Sequence, residues 1–318
     1  MRKYWGIGAT LLVALAGCGG GTVEGTPEPD GGDEPISSAV LGDARTLDPC
    51  SLVAPEAFAS HGDARRVARE SLDHCRVAVA VDRENVIVDY GLLLPEDAEG
   101  ERPVTTLAGD VRVVATSAEG TRPCTLRVVL ADETRIEVKA DAQRSGSAMP
   151  SETVCAVART AAEGIHTSLS SGAVEHWEPP TTSLARLSAC GLLPAREVAD
   201  LVGTSSEVTL YPAEHQCTWG TPGGEQPNAQ LDFTVGPKPD FTNADKETVA
   251  GRDTMVHLAQ TDSLSVCTLT TEHGPFAEAV DGEVELAVVR VLLTDGEADP
   301  CEHGIDLAEA AWEKLPAR

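Results

Sequence analysis

Nine cysteines, at positions 18, 50, 75, 124, 155, 190, 217, 267 and 301, are the side chains with the most chemistry to offer. Thiols can hold a metal, carry a lipid or pair as disulfides, and spacing separates these uses. Structural zinc sites bring two ligands to within roughly two to four residues of each other. No two cysteines here stand closer than 25 residues, so no metal site is expected. After Cys18 they fall into two quartets, with gaps of 25, 49 and 31 residues and then 27, 50 and 34. That recurrence reads as a leader cysteine followed by a tandem duplication.

The other reactive residue types form no catalytic pattern. Eight histidines are scattered along the chain, and two of them, His74 and His215, sit beside paired cysteines. Strand-end histidines at a surface are the plain account of both. Asp295-Gly296-Glu297-Ala298-Asp299 resembles a fragment of a calcium loop but lacks the spaced ligands and closing glutamate of an EF-hand. An acidic turn before a helix N-terminus, where carboxylates are favoured, explains it more simply. The chain has no Gly-x-Ser-x-Gly elbow, His-Glu-x-x-His helix, Ser-x-x-Lys or phosphate-cradling glycine loop. No catalytic residue is assigned and no cofactor is expected.

Cys18 differs from the rest in its surroundings. Arg2 and Lys3 precede an apolar run from Trp5 to Ala16, and Leu15-Ala16-Gly17-Cys18 reads as a lipobox. The run is too short for a spanning helix, which needs about 20 apolar residues. Cleavage before Cys18 would remove residues 1–17 as a signal peptide and leave the thiol to be acylated, as the resemblance to bacterial lipoproteins implies; an ordinary secretory leader is the alternative. Residues 18–45, with Gly19 to Gly21, three prolines and several acids, read as a disordered tether. The formal charge of -27 repels anionic lipid heads and nucleic acid, so no nucleic-acid partner is expected. Attachment to the bilayer must then come from acyl chains on Cys18, on the outer, extracytoplasmic face of the cell membrane.

The elements that would hold the remaining cysteines repeat in step. Leu47-Asp48-Pro49-Cys50 answers Leu187-Ser188-Ala189-Cys190, each opening a short helical pattern, and Leu107-Ala108-Gly109 answers Val249-Ala250-Gly251. The reading is a first domain at 46–169, a linker at 170–185 stiffened by Pro179-Pro180 so that the domains keep apart without sharing a core, and a second domain at 186–318. Strands are expected at 77–81, 86–93, 111–115, 126–130 and 136–139, and again where Leu231, Phe233 and Val235 alternate, where β-formers surround Cys267, and at 283–293 around Val288 and Val289. Closing helices are expected from about Ser151 to Leu169 and from Asp299-Pro300 to before Pro316. The fold class is therefore α+β: two tandem copies of an antiparallel twisted sheet with N- and C-terminal helices packed on one face.

Outside the cytosol, eight cysteines in two even sets are expected to be disulfides. Each quartet allows three connectivities. First with second and third with fourth is preferred, giving Cys50–Cys75, Cys124–Cys155, Cys190–Cys217 and Cys267–Cys301, because each bond would then pin a terminal helix to a strand. Trp219, on the strand after Cys217, is core packing or a candidate binding surface.

The order Cys190, Cys217-Thr218-Trp219, Gly251, Cys267, Asp299-Pro300-Cys301 and Leu315-Pro316 resembles actinobacterial lipoprotein domains of unknown function. The first copy departs from it, since Cys75-Arg76-Val77 lacks the tryptophan. What the resemblance implies is location and fold. The function expected is a membrane-anchored cell-envelope lipoprotein that binds an envelope protein or small ligand without catalysing a reaction; a hydrolase or transferase with an unrecognised site is the alternative.

Overall fold

The computed structural model describes residues 34–95, 101–221, 226–294 and 299–317. Cys18, the leader, most of the tether and residues 295–298 of the acidic turn lie outside the described residues. The backbone builds two seven-stranded antiparallel sheets and three α-helices, so the class is α+β. The first sheet comprises β1 (Ala64–Arg66), β2 (Cys75–Val81), β3 (Glu84–Leu94), β4 (Arg102–Thr106), β5 (Arg112–Ala115), β6 (Cys124–Val129) and β7 (Arg135–Ala142), in the order β1-β2-β3-β7-β6-β5-β4. The second comprises β8 (Val208–Leu210), β9 (Gln216–Trp219), β10 (Asn228–Gly236), β11 (Asp245–Val249), β12 (Arg252–Gln260), β13 (Ser265–Pro275) and β14 (Val284–Leu293), in the order β11-β12-β13-β14-β10-β9-β8. Numbered from its own first strand, each sheet reads 1-2-3-7-6-5-4. The duplication visible in the cysteines thus extends to strand order.

Alternation explains which faces are buried. Val77, Val79 and Val81 of β2, Val86, Val88 and Tyr90 of β3, and Ile136, Val138 and Ala140 of β7 share one core with Val154, Val157, Ala158, Ala161, Ile165 and Leu169 of α1 (Ser151–Ser171). The strand residues recur every second position and the helix residues every third or fourth, the two periods that put one face inward. A second core joins Leu231, Phe233, Val289 and Val291 to Leu307, Ala308, Ala311 and Trp312 of α3 (Pro300–Trp312). Fully burying such an aliphatic or aromatic side chain contributes roughly 1.5 to 3 kcal/mol. Gly304 lets α3 lie close on the sheet, since a Cβ there would overlap Leu269.

Four disulfides join Cys50 to Cys75, Cys124 to Cys155, Cys190 to Cys217 and Cys267 to Cys301, with Cα separations of 4.8, 5.3, 5.1 and 5.1 Å. The second bond of each repeat ties the sixth strand to the closing helix. The first ties a 3-10 turn, not a helix, to the second strand. In the first repeat the expected opening helix is replaced by two such turns, Pro49–Ser51 and Pro55–Phe58. Pro55 has no N–H to continue a helical ladder, and it pushes Ala54 into extended backbone at φ -70, ψ 136. In the second repeat a true helix, α2 (Ala195–Val202), follows Pro194 and stops at left-handed Gly203.

The segment expected to space the domains is stitched to both. Trp177 N–H donates to the Thr46 carbonyl at 2.7 Å and Asp48 N–H to the Glu175 carbonyl at 2.9 Å. Beyond the two prolines, Glu285 accepts from the Ser183 hydroxyl at 2.5 Å and from Leu184 N–H at 2.8 Å. Each flank of the proline pair carries an apolar anchor, buried Trp177 and Leu184, so stiffening shapes the segment without holding the repeats apart. Residues 34–318 form one compact unit.

Candidate functional site

The densest gathering of buried charge lies where the repeats meet. After β1, the irregular segment 67–74 leaves the first sheet, and Leu72 enters the core of the second repeat beside Trp177 and Leu184. Arg69 anchors the crossing. Its N–H donates to Glu283 at 2.9 Å, and its guanidinium donates to Asp48 at 2.8 Å. The same guanidinium lies 5.1 Å from the Trp177 ring centre and 5.6 Å from that of Phe276, and the two rings pack edge to face. Farther along, the Thr234 hydroxyl donates to the Glu70 carbonyl at 2.8 Å.

At the centre, His215 Nδ1 lies 2.5 Å from Asp73 Oδ1, with the side chains only 1% and 3% exposed. His215 Nε2 is 3.1 Å from the Ala185 carbonyl. Asp73 stands two residues before Cys75, and His215 two residues before Cys217, so the two occupy equivalent positions in the duplicated chain. The turns Ala44–Thr46 and Leu184–Arg186, equally equivalent about Cys50 and Cys190, also contact each other. Like positions meeting like are the mark of an approximately two-fold arrangement.

Both partners of His215 are oxygens, and both ring nitrogens can donate to them at once only when the ring is protonated. Burial by itself pushes its pKa down, but the Asp73 carboxylate and the Ala185 carbonyl outweigh burial and the nearby Arg45, and the net direction is up. Two acidic groups beside the junction move the same way. Burial raises the Asp232 carboxyl to about 6 against the pull of Arg290, with Asp73 adding to the rise. Burial likewise raises Glu137, although Arg127 and Lys139 oppose it. Asp232 alternates with inward Leu231 and Phe233, and Glu137 with inward Ile136 and Val138, so both stand on outward sheet faces. The Tyr211 hydroxyl, raised first by burial and then by both carboxylates, marks where those faces approach.

An Asp–His pair invites a catalytic reading, but this one has no free lone pair at Nε2 to take a proton from a nucleophile. It also has no solvent access. The adjoining void, lined by Leu47, Leu72, Asp73 and Ala213 among others, measures about 10 Å³.

Roomier concavities belong to the first repeat. One of about 510 Å³ lies over the outward face of its sheet, where Arg76 bridges Asp89 and Glu70. Another, of about 640 Å³, runs between β4, the loop 117–120 and the start of α1. Leu126, Ala115 and the Cys124–Cys155 bond line it with Arg102 and Arg159, and neither arginine has an ion-pair partner among the described residues. Glu119 and Glu152 also line it, so the wall mixes apolar and charged groups at a volume that a small ligand or peptide could fill.

Of the residues singled out from sequence, the eight cysteines are all bonded. Trp219, the candidate binding surface, is 1% exposed inside the second core, so its ring offers no platform to a ligand. His215 is central to the junction, whereas His74 lies beside it, its pKa lowered by burial. Asp73, Arg69 and Trp177 were not expected there; aligning the two quartets at Cys75 and Cys217 would have placed Asp73 and His215 in register, though not in contact. Comparison with family models, with curated proteins and with solved structures returned no match.

Proposed function

We propose that this chain is a lipoprotein of the cell envelope, held to the outer face of the membrane by acylated Cys18, and that its paired repeats act as one binding module without catalytic activity. The observation that carries the binding reading is the cleft of about 640 Å³ in the first repeat, whose mixed apolar and charged wall holds Glu119, Glu152 and two arginines free of ion pairs among the described residues. The module is of the kind suggested by the resemblance to actinobacterial lipoprotein domains. Its terminal helices are taken to cover one face of each sheet, which supports leaving clefts and outward faces for a protein or small ligand of the envelope. The buried Asp73–His215 pair gives no support to hydrolase or transferase chemistry, because neither partner can reach a substrate.

Two measurements test this reading in the producing cells. Cys18→Ala should move the protein from the membrane fraction to the soluble one, and continued membrane retention would contradict the anchor. A photo-crosslinking residue at Val104, on the rim of the cleft, should give a discrete adduct that is missing when the probe sits at exposed Val280 on the second repeat. Identical adducts from both positions, or none from Val104, would count against the cleft.

A further inference from the structure

We propose that Asp73 and His215 form a proton-operated latch between the two repeats, closed while His215 carries both ring protons and weakened when one is lost. The geometry makes the charge obligatory. A neutral imidazole has one N–H for two oxygen acceptors, so either the Asp73 carboxylate or the Ala185 carbonyl would face a bare nitrogen lone pair. With the proton gone, Asp73 would be left as a buried carboxylate without a counter-charge, the costly state of a broken buried pair.

The neighbours on every packed element do not rescue it. Asp232 of β10 and Glu137 of β7 add negative charge near the junction. Arg45, on the turn Ala44–Thr46, is held by Asp43, and Arg290 of β14 donates to Gln230. Arg69 is committed to Asp48 and the two rings. His74, next in sequence to Asp73, has its pKa lowered by burial and cannot substitute as a cation. Tyr211 has its ionisation raised and stays neutral in the same range.

The sign follows from linkage. A histidine bound more tightly to its proton in the closed junction than in the open one stabilises closure below its ordinary pKa of about 6.5 and loses that contribution as pH rises through its closed-state value. Between those limits the closing constant falls about tenfold for each pH unit. Arg69, Leu72 and the Thr234 contact to Glu70 hold throughout, so the expected motion is local loosening of Asp73 from 211–216, not separation of the repeats.

The direct test is nitrogen NMR of the His215 ring in the full chain from pH 5 to 9. Both ring nitrogens should be protonated at pH 6.5, with a midpoint above that value. Hydrogen exchange, corrected for its intrinsic pH dependence, should show the Phe233 amide, which donates to the His215 carbonyl, losing protection across that window while β6–β7 amides keep theirs. Asp73→Asn should abolish the difference. A ring that is neutral at pH 6, an equal loss of protection at both places, or an unchanged pH response in D73N would each overturn the latch. Should D73N fail to fold, the wild-type ring titration decides alone.

Discussion

Arg69 shows how much one side chain can carry when its alternatives are removed. It is buried to 4% exposure, and its guanidinium is divided between the Asp48 carboxylate and the faces of Trp177 and Phe276. Arg69→Ala should therefore lower unfolding free energy by about 3 to 5 kcal/mol, the range for stripping one partner from a buried pair. Arg69→Lys should recover only part, because an ammonium cannot stack flat while donating to a carboxylate. The control is Arg112→Ala, whose pair with Glu133 is 43% and 53% exposed and should cost about 1 kcal/mol or less. Urea titration of the three variants checks this, and equal losses at Arg69 and Arg112 would refute the ranking. None of this was legible in the sequence. Arg69 lies in a stretch with no apolar period, and its partners Asp48, Trp177 and the Phe276–Glu283 connection come from three separate segments of the chain. Trp219 illustrates the reverse: its place after Cys217 on a strand left packing and a binding surface both open, and the buried ring lies in the core.

At the scale of elements, legibility followed periodicity. The strands around Val79, Val88, Leu126, Phe233 and Cys267 and both closing helices carry two-fold or 3.6-fold apolar patterns, the strand around Val288 is a near-continuous apolar run, and all lie where those signals place them. The sheet edges do not: β1, β4 and β11 are short and polar or proline-bearing, and β8 is only Val208-Thr209-Leu210, so nothing in their spacing sets them apart from loops. Pairing of the cysteines was legible from the preference for joining a terminal element to a strand, which the second bond of each repeat does for its closing helix. That gives Cys267–Cys301 a defined task, tying α3 to β13 across 34 residues. Replacing both cysteines by serine should cost about 2 to 5 kcal/mol and loosen α3 before the sheet. Hydrogen exchange along 300–312 reads this out, and loss of protection in β10 and β14 ahead of α3 would show the bond acting elsewhere.

For the whole molecule, the unread feature was the junction, because equivalent residues 142 positions apart are aligned by duplication but brought into contact only by folding. Its chemistry sets how stability should vary with pH. His215 is raised, so its contribution is full below about 6.5 and is lost as pH climbs through the folded value. Asp232 is raised from its ordinary 3.8 to about 6, so it too favours the folded state below that range and withdraws about 3 kcal/mol between its two limits. Glu137 acts in the same direction. His74 pulls the other way, since its lowered pKa makes protonation below about 6.5 costly in the folded state. On the acid side, carboxylates held below their usual range, among them Asp132 by Ser38 and Glu101 by Arg135 and Arg127 despite the cost of burial, withdraw their support as pH falls through the carboxylate range. Self-repulsion at a formal charge of -27 also eases as acids are neutralised. The raised acids have withdrawn by about pH 6, so the decline from there toward pH 8 rests on His215, and the melting temperature should fall across that range. Calorimetric scans of the full chain and of His215→Gln test this together. The variant should melt lower at pH 5.5 and lose part of the decline above pH 6.5, while a wild-type melting temperature that stays flat from pH 6 to 9 would remove the junction as the source of pH dependence.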